Sequence, residues 1–211
     1  MQYELVTAPS EEPITLAEAK LHLRVDGTDE DSLITDLIGE AREWVEQFTR
    51  RALCTQTVRL WLDGFRDEAG TTLVTPRQID DGSDRAIVLD RSPVVSVSNL
   101  KYIDTAGTLQ TLDPAAYTLS AKSKDRPGFI VPAYGYAWPS TRDVPNSVQV
   151  EFVAGYGAAA AVPGMFKRAM RLHVGWGYAS REPESKVDGI LARQQKAIEQ
   201  LLISHRVFQF G

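Results

Sequence analysis

The chain has 211 residues, of which 43% are hydrophobic and 24% charged, a composition that excludes wholesale disorder. No apolar run approaches the roughly 20 residues of a membrane-spanning helix, and Met1 to Leu5 lack the basic and apolar layout of an export signal. A single cysteine, Cys54, and three histidines cannot supply an internal disulfide or a structural zinc site. We therefore expect a soluble, intracellularly made protein without metal or cofactor.

The net charge of −5 conceals a gradient along the chain. Residues 1–54 hold 5 basic and 12 acidic side chains, whereas residues 163–211 hold 8 and 4. An acidic front and a basic back favour contacts between copies arranged head to tail, or different partners at each end. Ordinary variation between helix surfaces explains the same gradient.

The segment from Pro13 to Arg51 has the pattern of two helices. Thr15 and Glu18 form a capping box, which predicts the start of the first helix. A break at Asp26-Gly27 is followed by an amphipathic stripe about five turns long. Five residues of this stripe are predicted to form the helical core: Leu33, Leu37, Ala41, Trp44 and Phe48.

Between about Cys54 and Gly155 the pattern changes to short β-branched and aromatic runs separated by turn residues, which is typical of strands. The sequence from Asp104 to Gly107 predicts a hairpin turn. The predicted strands are Thr55–Leu62, Ala86–Leu89, Val94–Ile103, Thr108–Leu112, Tyr117–Ser120, Phe129–Val131 and Val148–Val153.

Two further helices are predicted after Gly157, one starting at Pro163 and one near Val187–Ser204. The predicted fold class is therefore α+β: the N- and C-terminal helices form a helical bundle, with a β-rich insertion, an antiparallel sandwich or barrel-like module, between them. The expected division is 1–54 for the N-terminal helices, 55–157 for the insertion, and 158–211 for the C-terminal helices and tail.

No motif in the chain predicts catalysis. Gly155-Tyr156-Gly157 lacks the strand, helix and acidic residue of a dinucleotide site, and the acids at 26 to 31 are explained by helix capping. His173 lies on an apolar helix face, where a structural role is expected. A pI near 5.3 argues against a stand-alone nucleic-acid binder.

The C-terminal end carries large apolar side chains beyond the last predicted helix, where polar residues are usual. Such an end is suited to anchoring in a groove of another protein. The alternative is that this tail folds back on the core of its own subunit.

Several stretches together resemble the head–tail connector (adaptor) proteins of long-tailed bacteriophages, a family also represented in gene transfer agents. The matching stretches are Pro13 to Lys20, Leu23 to Asp26, Asp29 to Asp31, Arg51 to Leu53 with Thr55 to Thr57, Tyr102 to Tyr117, Trp138-Pro139, Val153 to Gly157 and His205 to Phe210.

The resemblance implies a structural protein of the virion neck, made and assembled in the bacterial host cytoplasm. It implies a ring of its own copies, commonly a dodecamer, beneath the portal protein. That ring extends the channel through which genomic DNA passes without sequence-specific binding, and it offers a platform for the downstream head-completion (stopper) or tail protein, with no membrane involved.

The residues expected to bind the portal are Leu201, Leu202, Arg206, Val207, Phe208 and Phe210. The competing class is a small-ligand binding protein or an enzyme with a β-sandwich insertion. A convergent set of polar residues around one pocket would favour that class.

Overall fold

The computed structural model of the chain describes residues 2–65, 86–121, 123–180 and 188–207. Its helices and antiparallel strands confirm the predicted α+β class. Along the chain they are β1 (Gln2–Thr7), α1 (Leu16–Leu23), α2 (Asp31–Thr49), β2 (Gln56–Leu62), β3 (Ile87–Leu89), β4 (Val94–Ile103), β5 (Leu109–Thr111), β6 (Tyr117–Ser120), β7 (Gly128–Pro132), β8 (Val148–Ala154), α3 (Gly164–Ala179) and α4 (Asp188–Ile203).

The chain divides into two compact units, each built from separate segments. The β unit comprises Met1–Ala8, Thr55–Gly155 and Val207–Gly211, and the helical unit comprises Pro9–Cys54 and Tyr156–Arg206. The expected assignment of all of 1–54 to the helices therefore differs from the structure at its beginning. Residues 2–7 form strand β1, because they pair with β2 more than 50 residues later.

The β unit contains two antiparallel sheets. The larger has the order β1-β2-β8-β4-β5 and the smaller the order β3-β7-β6. Neither sheet closes into a barrel within the described residues, and β1 and β5 are the two edges of the larger one. In β2 and β8 buried and half-buried residues alternate, as expected for strands with one face on a core.

The two faces of the larger sheet differ in chemistry. Leu60, Val150 and Leu100 lie side by side on three strands and are fully buried. On the opposite face, Arg59 forms ion pairs with Glu4 on β1 (3.2 Å) and Glu151 on β8 (2.9 Å). Because these side chains are partly exposed, their ion pairs contribute little to the free energy of unfolding, as is usual for ion pairs at a protein surface.

The helical unit begins with the predicted capping box. The Thr15 hydroxyl accepts the N–H of Glu18, while the Glu18 carboxylate accepts the N–H of Thr15. Helix α2 supplies the centre of the core, and α3 packs closely on it: a Cβ added to Gly177 would come within 2.7 Å of the Leu37 side chain. Any larger residue at 177 would require the Leu37 side chain to shift.

A charged network is buried beneath the C-terminal half of α2. The Arg42 guanidinium contacts the carboxylates of Glu12 (3.0 Å) and Glu46 (3.2 Å). Burial alone would lower the pKa of Arg42, but these carboxylates outweigh it and raise the pKa above its usual value. The other oxygen of Glu46 accepts the N–H of Leu53 at 2.7 Å, so the network also fixes the chain just after α2.

Candidate docking site

Helix α4 forms the start of the predicted docking segment, and its apolar side belongs to the core of the helical unit. Ile198 and Leu202 are buried in that core, and Leu201 packs against it partly buried. Ile203, the last residue of the helix, is 54% exposed. Among the described side chains of the last turn, Leu202 is buried and Ile203 is exposed to solvent.

Arg51 holds the end of this segment from within the helical unit. Its side chain is almost wholly buried, with 2% of the residue exposed. Its Nε donates to the carbonyl of His205 at 2.7 Å, and its Nη1 donates to the Tyr156 hydroxyl at 2.8 Å. The guanidinium also lies 5.9 Å from the ring centre of Phe166. The chain consequently leaves α4 along a path set by a buried cation.

Arg206 follows directly and lies over an aromatic pair. Its guanidinium carbon is 5.5 Å from the ring centre of Phe48, a distance suited to a cation–π interaction. Phe48 in turn stacks on Trp44, with ring centres 5.3 Å apart and planes 8° from parallel. Arg206 as a whole residue is half-buried.

The six residues expected to bind the portal thus fall into three groups. Leu202 and Val207 are buried within the chain itself, at 0% and 1% exposure. Leu201 and Arg206 are half-buried. Phe208 and Phe210 lie outside the described residues. Surface available at this end therefore comes from α4's last turn and Arg206.

The five residues expected in the helical core lie together. Leu37 and Ala41 are buried in the core cluster, and Leu33, Trp44 and Phe48 pack against it partly buried. Sequence reasoning missed the buried cations Arg42 and Arg51. For Arg42 a signal was present: Arg42 and Glu46 are spaced i,i+4 on the side of α2 that carries the apolar stripe.

No arrangement of reactive groups accompanies this segment. His173 is buried between Trp44 (5.0 Å) and Trp176 (5.2 Å), and burial lowers its pKa. Burial also raises the pKa of the Cys54 thiol to about 11, which keeps it protonated and unreactive. Within the described ranges no three His, Cys, Asp or Glu side chains are placed to hold a metal ion.

Two further exposed features belong to the β unit. Tyr134 is fully exposed at the tip of a turn in which Tyr136 donates its N–H to Ala133 and Gly135 has φ +83. The edge strands β1 and β5 are exposed along almost their whole length. Of the helices that the structure describes, none has both the length and the apolar character needed to cross a bilayer.

Residues 13–89 match the family model described as Phage gp6-like head-tail connector protein. The resemblance to head–tail connectors is thereby confirmed. The matched segment contains both N-terminal helices and the first strand after them. The match supports a structural connector role.

Chains in solved structures of gene transfer agent particles share the fold of the whole chain. A chain in the neck of an empty gene transfer agent (GTA) particle with C6 symmetry has 21% identity and a TM-score of 0.74, covering 100% of this chain and 98% of that one. A chain in the virion of a native GTA particle has 22% identity and a TM-score of 0.73 at the same coverage. One in the native neck with C12 symmetry has 20% identity and a TM-score of 0.70, again with that coverage. No curated protein matches the chain in sequence.

Proposed function

We propose that this chain is a head–tail connector that forms a ring beneath the portal protein in the neck of a virion. The observation that carries the proposal is the coverage: the neck chains share the fold over 100% of this chain and 98% of their own length. Because nothing large is left over on either side, a connector role of the entire chain is the simplest reading. Such a protein is made and assembled in the host cytoplasm.

The ring is proposed to be a dodecamer, in line with the C12 symmetry of one of the related necks. A ring requires that two different surfaces of one subunit meet, because each copy contacts its two neighbours head to tail. The acidic residues of 9–54 and the basic residues of 163–206 both belong to the helical unit, and opposite charges on neighbouring copies favour such a contact.

Genomic DNA passes through this ring without sequence-specific contacts. The net charge of −5 supports this part of the proposal, because an acidic wall does not retain phosphates as a basic wall would. The ring in addition forms a platform for the downstream head-completion or tail protein. Specificity in such assemblies comes from buried surface and geometry rather than from chemistry at a site.

Docking to the portal is proposed for the C-terminal segment. The buried residues of this segment differ in role from its exposed ones. Leu202 and Val207 stabilise the chain's own structure, since they are already buried. The contact itself is assigned to Arg206, Phe208 and Phe210, with the exposed face of Leu201 beside them. Fully burying one phenylalanine contributes roughly 1.5–3 kcal/mol, and a ring repeats the contribution in every subunit.

The test is a deletion of the coding sequence from the genome that produces the particles, followed by complementation. Deletion is expected to leave filled heads without tails, and the wild-type chain to restore tailed particles. A chain with Phe208→Ser and Phe210→Ser is expected to keep its melting temperature yet fail to restore them. The matched control is Leu21→Ser, which alters an exposed leucine far along the chain.

Two outcomes contradict the proposal. Normal tailed particles from the deletion strain would remove the connector function. Restoration of tails by the doubly substituted chain would place the portal anchor elsewhere while leaving that function intact.

A further inference from the structure

Within the described residues, strand β1 is an open edge of a sheet. It ends one side of the larger sheet, and none of the described strands pairs with its outer side. Natural edge strands are commonly guarded by lysine or proline, and Gln2–Thr7 contains neither. Leu5 is 51% exposed, and a bulge between Leu5 and Thr7 ends the regular part of the edge there. Four residues, 2 to 5, therefore form a regular unpaired edge.

Strand β5 is the matching open edge on the opposite side of the same sheet. All three of its residues are exposed, and Leu109 is exposed to 54%. The free edges have similar lengths, four residues on β1 and three on β5. A subunit that carries both edges of one sheet carries two unlike surfaces that fit each other, as a closed ring of identical copies requires.

The direction of the backbone groups on β5 follows from its pairing with β4. Leu112 donates its N–H to the carbonyl of Leu100, so this residue faces β4. Along an antiparallel pair, every second residue forms backbone hydrogen bonds with the partner strand. Leu109 and Thr111 consequently direct their N–H and C=O groups away from β4, toward the open edge.

The same alternation can be followed across the sheet to β1. Ile103 on β4 donates its N–H to the carbonyl of Ser147, so Ser147 faces β4. Every second residue after Ser147, Glu151 included, therefore also bonds to β4. The neighbours of Glu151 on β8 therefore bond to β2. Arg59, which lies opposite Glu151, must then bond on its other side, to β1.

Arg59 lies opposite Glu4, so Glu4 faces β2. Tyr3 and Leu5, the residues on either side of Glu4, direct their N–H and C=O groups to the open edge. Each edge thus offers two residues with unpaired backbone groups, in the spacing that a new ladder needs.

We infer that β1 of one copy pairs with β5 of the next, so that the larger sheets join edge to edge around the ring. The inference rests on the proposed ring. In a ring of about a dozen copies each neighbour is turned by only about 30°, so strand directions are nearly preserved. β1 and β5 run in the same direction within one sheet, because four antiparallel pairings separate them. The new pair is therefore parallel.

The register follows from the backbone groups and from charge. In a parallel pair, a residue facing the partner bonds to the two residues that flank its opposite number. With Glu4 opposite Thr111, the N–H of Thr111 donates to the carbonyl of Tyr3, and the N–H of Leu5 donates to the carbonyl of Thr111. Glu4 of one copy then lies across the small Thr111 from Lys101 of the next.

Glu4 and Lys101 are on the same face of the sheet and carry opposite charges, and Glu4 also contacts Arg59 of its own copy. Lys101 on β4 lies opposite Thr111 on β5. In the other direction across the sheet, Lys101 is aligned with Trp61 on β2, which is two residues from Arg59, the residue that pairs with Glu4. Two strand spacings separate the Cα atoms, about 9.6 Å. A lysine and a glutamate side chain together span that gap.

The test is a disulfide across the inferred pair. In this register Gln2 lies opposite Leu109 on the same face, at a spacing within the range of a disulfide. A chain with Gln2→Cys and Leu109→Cys is assembled into particles by complementation and oxidised, then run without reductant. The native Cys54 is buried and does not interfere. A ladder of multiples of the chain, reversed by reductant, is expected.

The control combines Gln2→Cys with Leu21→Cys, because Leu21 is more exposed than Leu109, at 82% against 54%. The control is expected to give less than a tenth of the cross-linked product. Equal ladders from both pairs would overturn the inference, since random collision would explain them.

A second variant addresses the edge without cysteines. Thr111→Pro removes an N–H that points away from β4, so the β4–β5 ladder stays intact while the new pair loses a bond and gains a clash. Rings or tailed particles are expected to be lost with Thr111→Pro and kept with Thr111→Val. Should Thr111→Pro not fold, the cysteine pair alone decides.

The outcomes separate this inference from the proposed function. If tailed particles depend on the chain but the Gln2/Leu109 pair gives no ladder, the connector function stands and the sheet-edge contact is wrong. If tailed particles form without the chain, the ring and the contact derived from it are both wrong.

Discussion

Replacing Arg51 by methionine tests how strongly the C-terminal segment is tied to the helical unit. The change removes two charge-assisted hydrogen bonds, to His205 and Tyr156, and the contact with the Phe166 ring. Hydrogen bonds to a charged group are worth about 1.5–3 kcal/mol each. Because methionine still fills much of the space, we expect the free energy of unfolding to fall by about 3–5 kcal/mol.

For a chain of this size each kcal/mol lowers the melting temperature by about 2–4 °C, so a fall of roughly 6–20 °C is expected by calorimetry. Urea unfolding gives the free energy directly. The matched control is Arg168→Met, which removes an exposed arginine from α3 and is expected to change stability by less than about 0.5 kcal/mol. A loss under about 1 kcal/mol for Arg51→Met would show that the buried guanidinium does not hold this end of the chain.

Three further outcomes follow from the helical unit. Trp44→Ala removes a half-buried ring stacked on its neighbours and is expected to cost about 2–4 kcal/mol by urea unfolding; an unchanged midpoint would exclude this ring from the core. Burial lowers the pKa of His173 from 6.5, so the unfolded chain takes up a proton at this histidine before the folded chain does. The contribution of the neutral, buried imidazole to stability is therefore complete above about pH 6.5 and declines as the pH falls below it. Melting curves of His173→Phe are expected to lack that part of the decline, and an identical pH profile would contradict it. A chain ending after Gln200 loses the buried Leu202, whose side chain alone contributes about 2–5 kcal/mol, and is expected to melt about 4–20 °C below one ending after Val207. Equal melting temperatures would make α4's last turn dispensable.

The elements that local sequence determines were predicted well. The capping box at Thr15 and the stripe of α2 are set by neighbours within one or two turns, and both occur as predicted. Strand β4 runs from Val94 to Ile103, as its β-branched run indicates, and the hairpin from Asp104 to Gly107 joins it to β5.

Features that depend on distant residues were not predictable from the sequence. Strand β1 is specified by its partner β2, since an isolated six-residue segment with mixed polarity has little strand preference of its own. The fate of the C-terminal residues was equally hidden. An apolar side chain such as Leu202 or Val207 is equally suited to an anchor and to a core. The path of the chain at this end is held by Arg51, which bonds to His205 although the two residues are 154 positions apart in the sequence.

The division of each unit into separate segments has a consequence for biosynthesis. Helices α1 and α2 leave the ribosome early, but α3 follows only after the segment Thr55–Gly155 of the β unit, more than 100 residues later. At about 5–20 residues per second the apolar stripe of α2 waits several seconds without a partner. Closing a loop of that length costs about 4 kcal/mol of chain entropy, which is recovered only when α3 packs on α2. The helical unit is therefore the last to fold, and a nascent chain stalled before α3 exposes the surface most prone to aggregate.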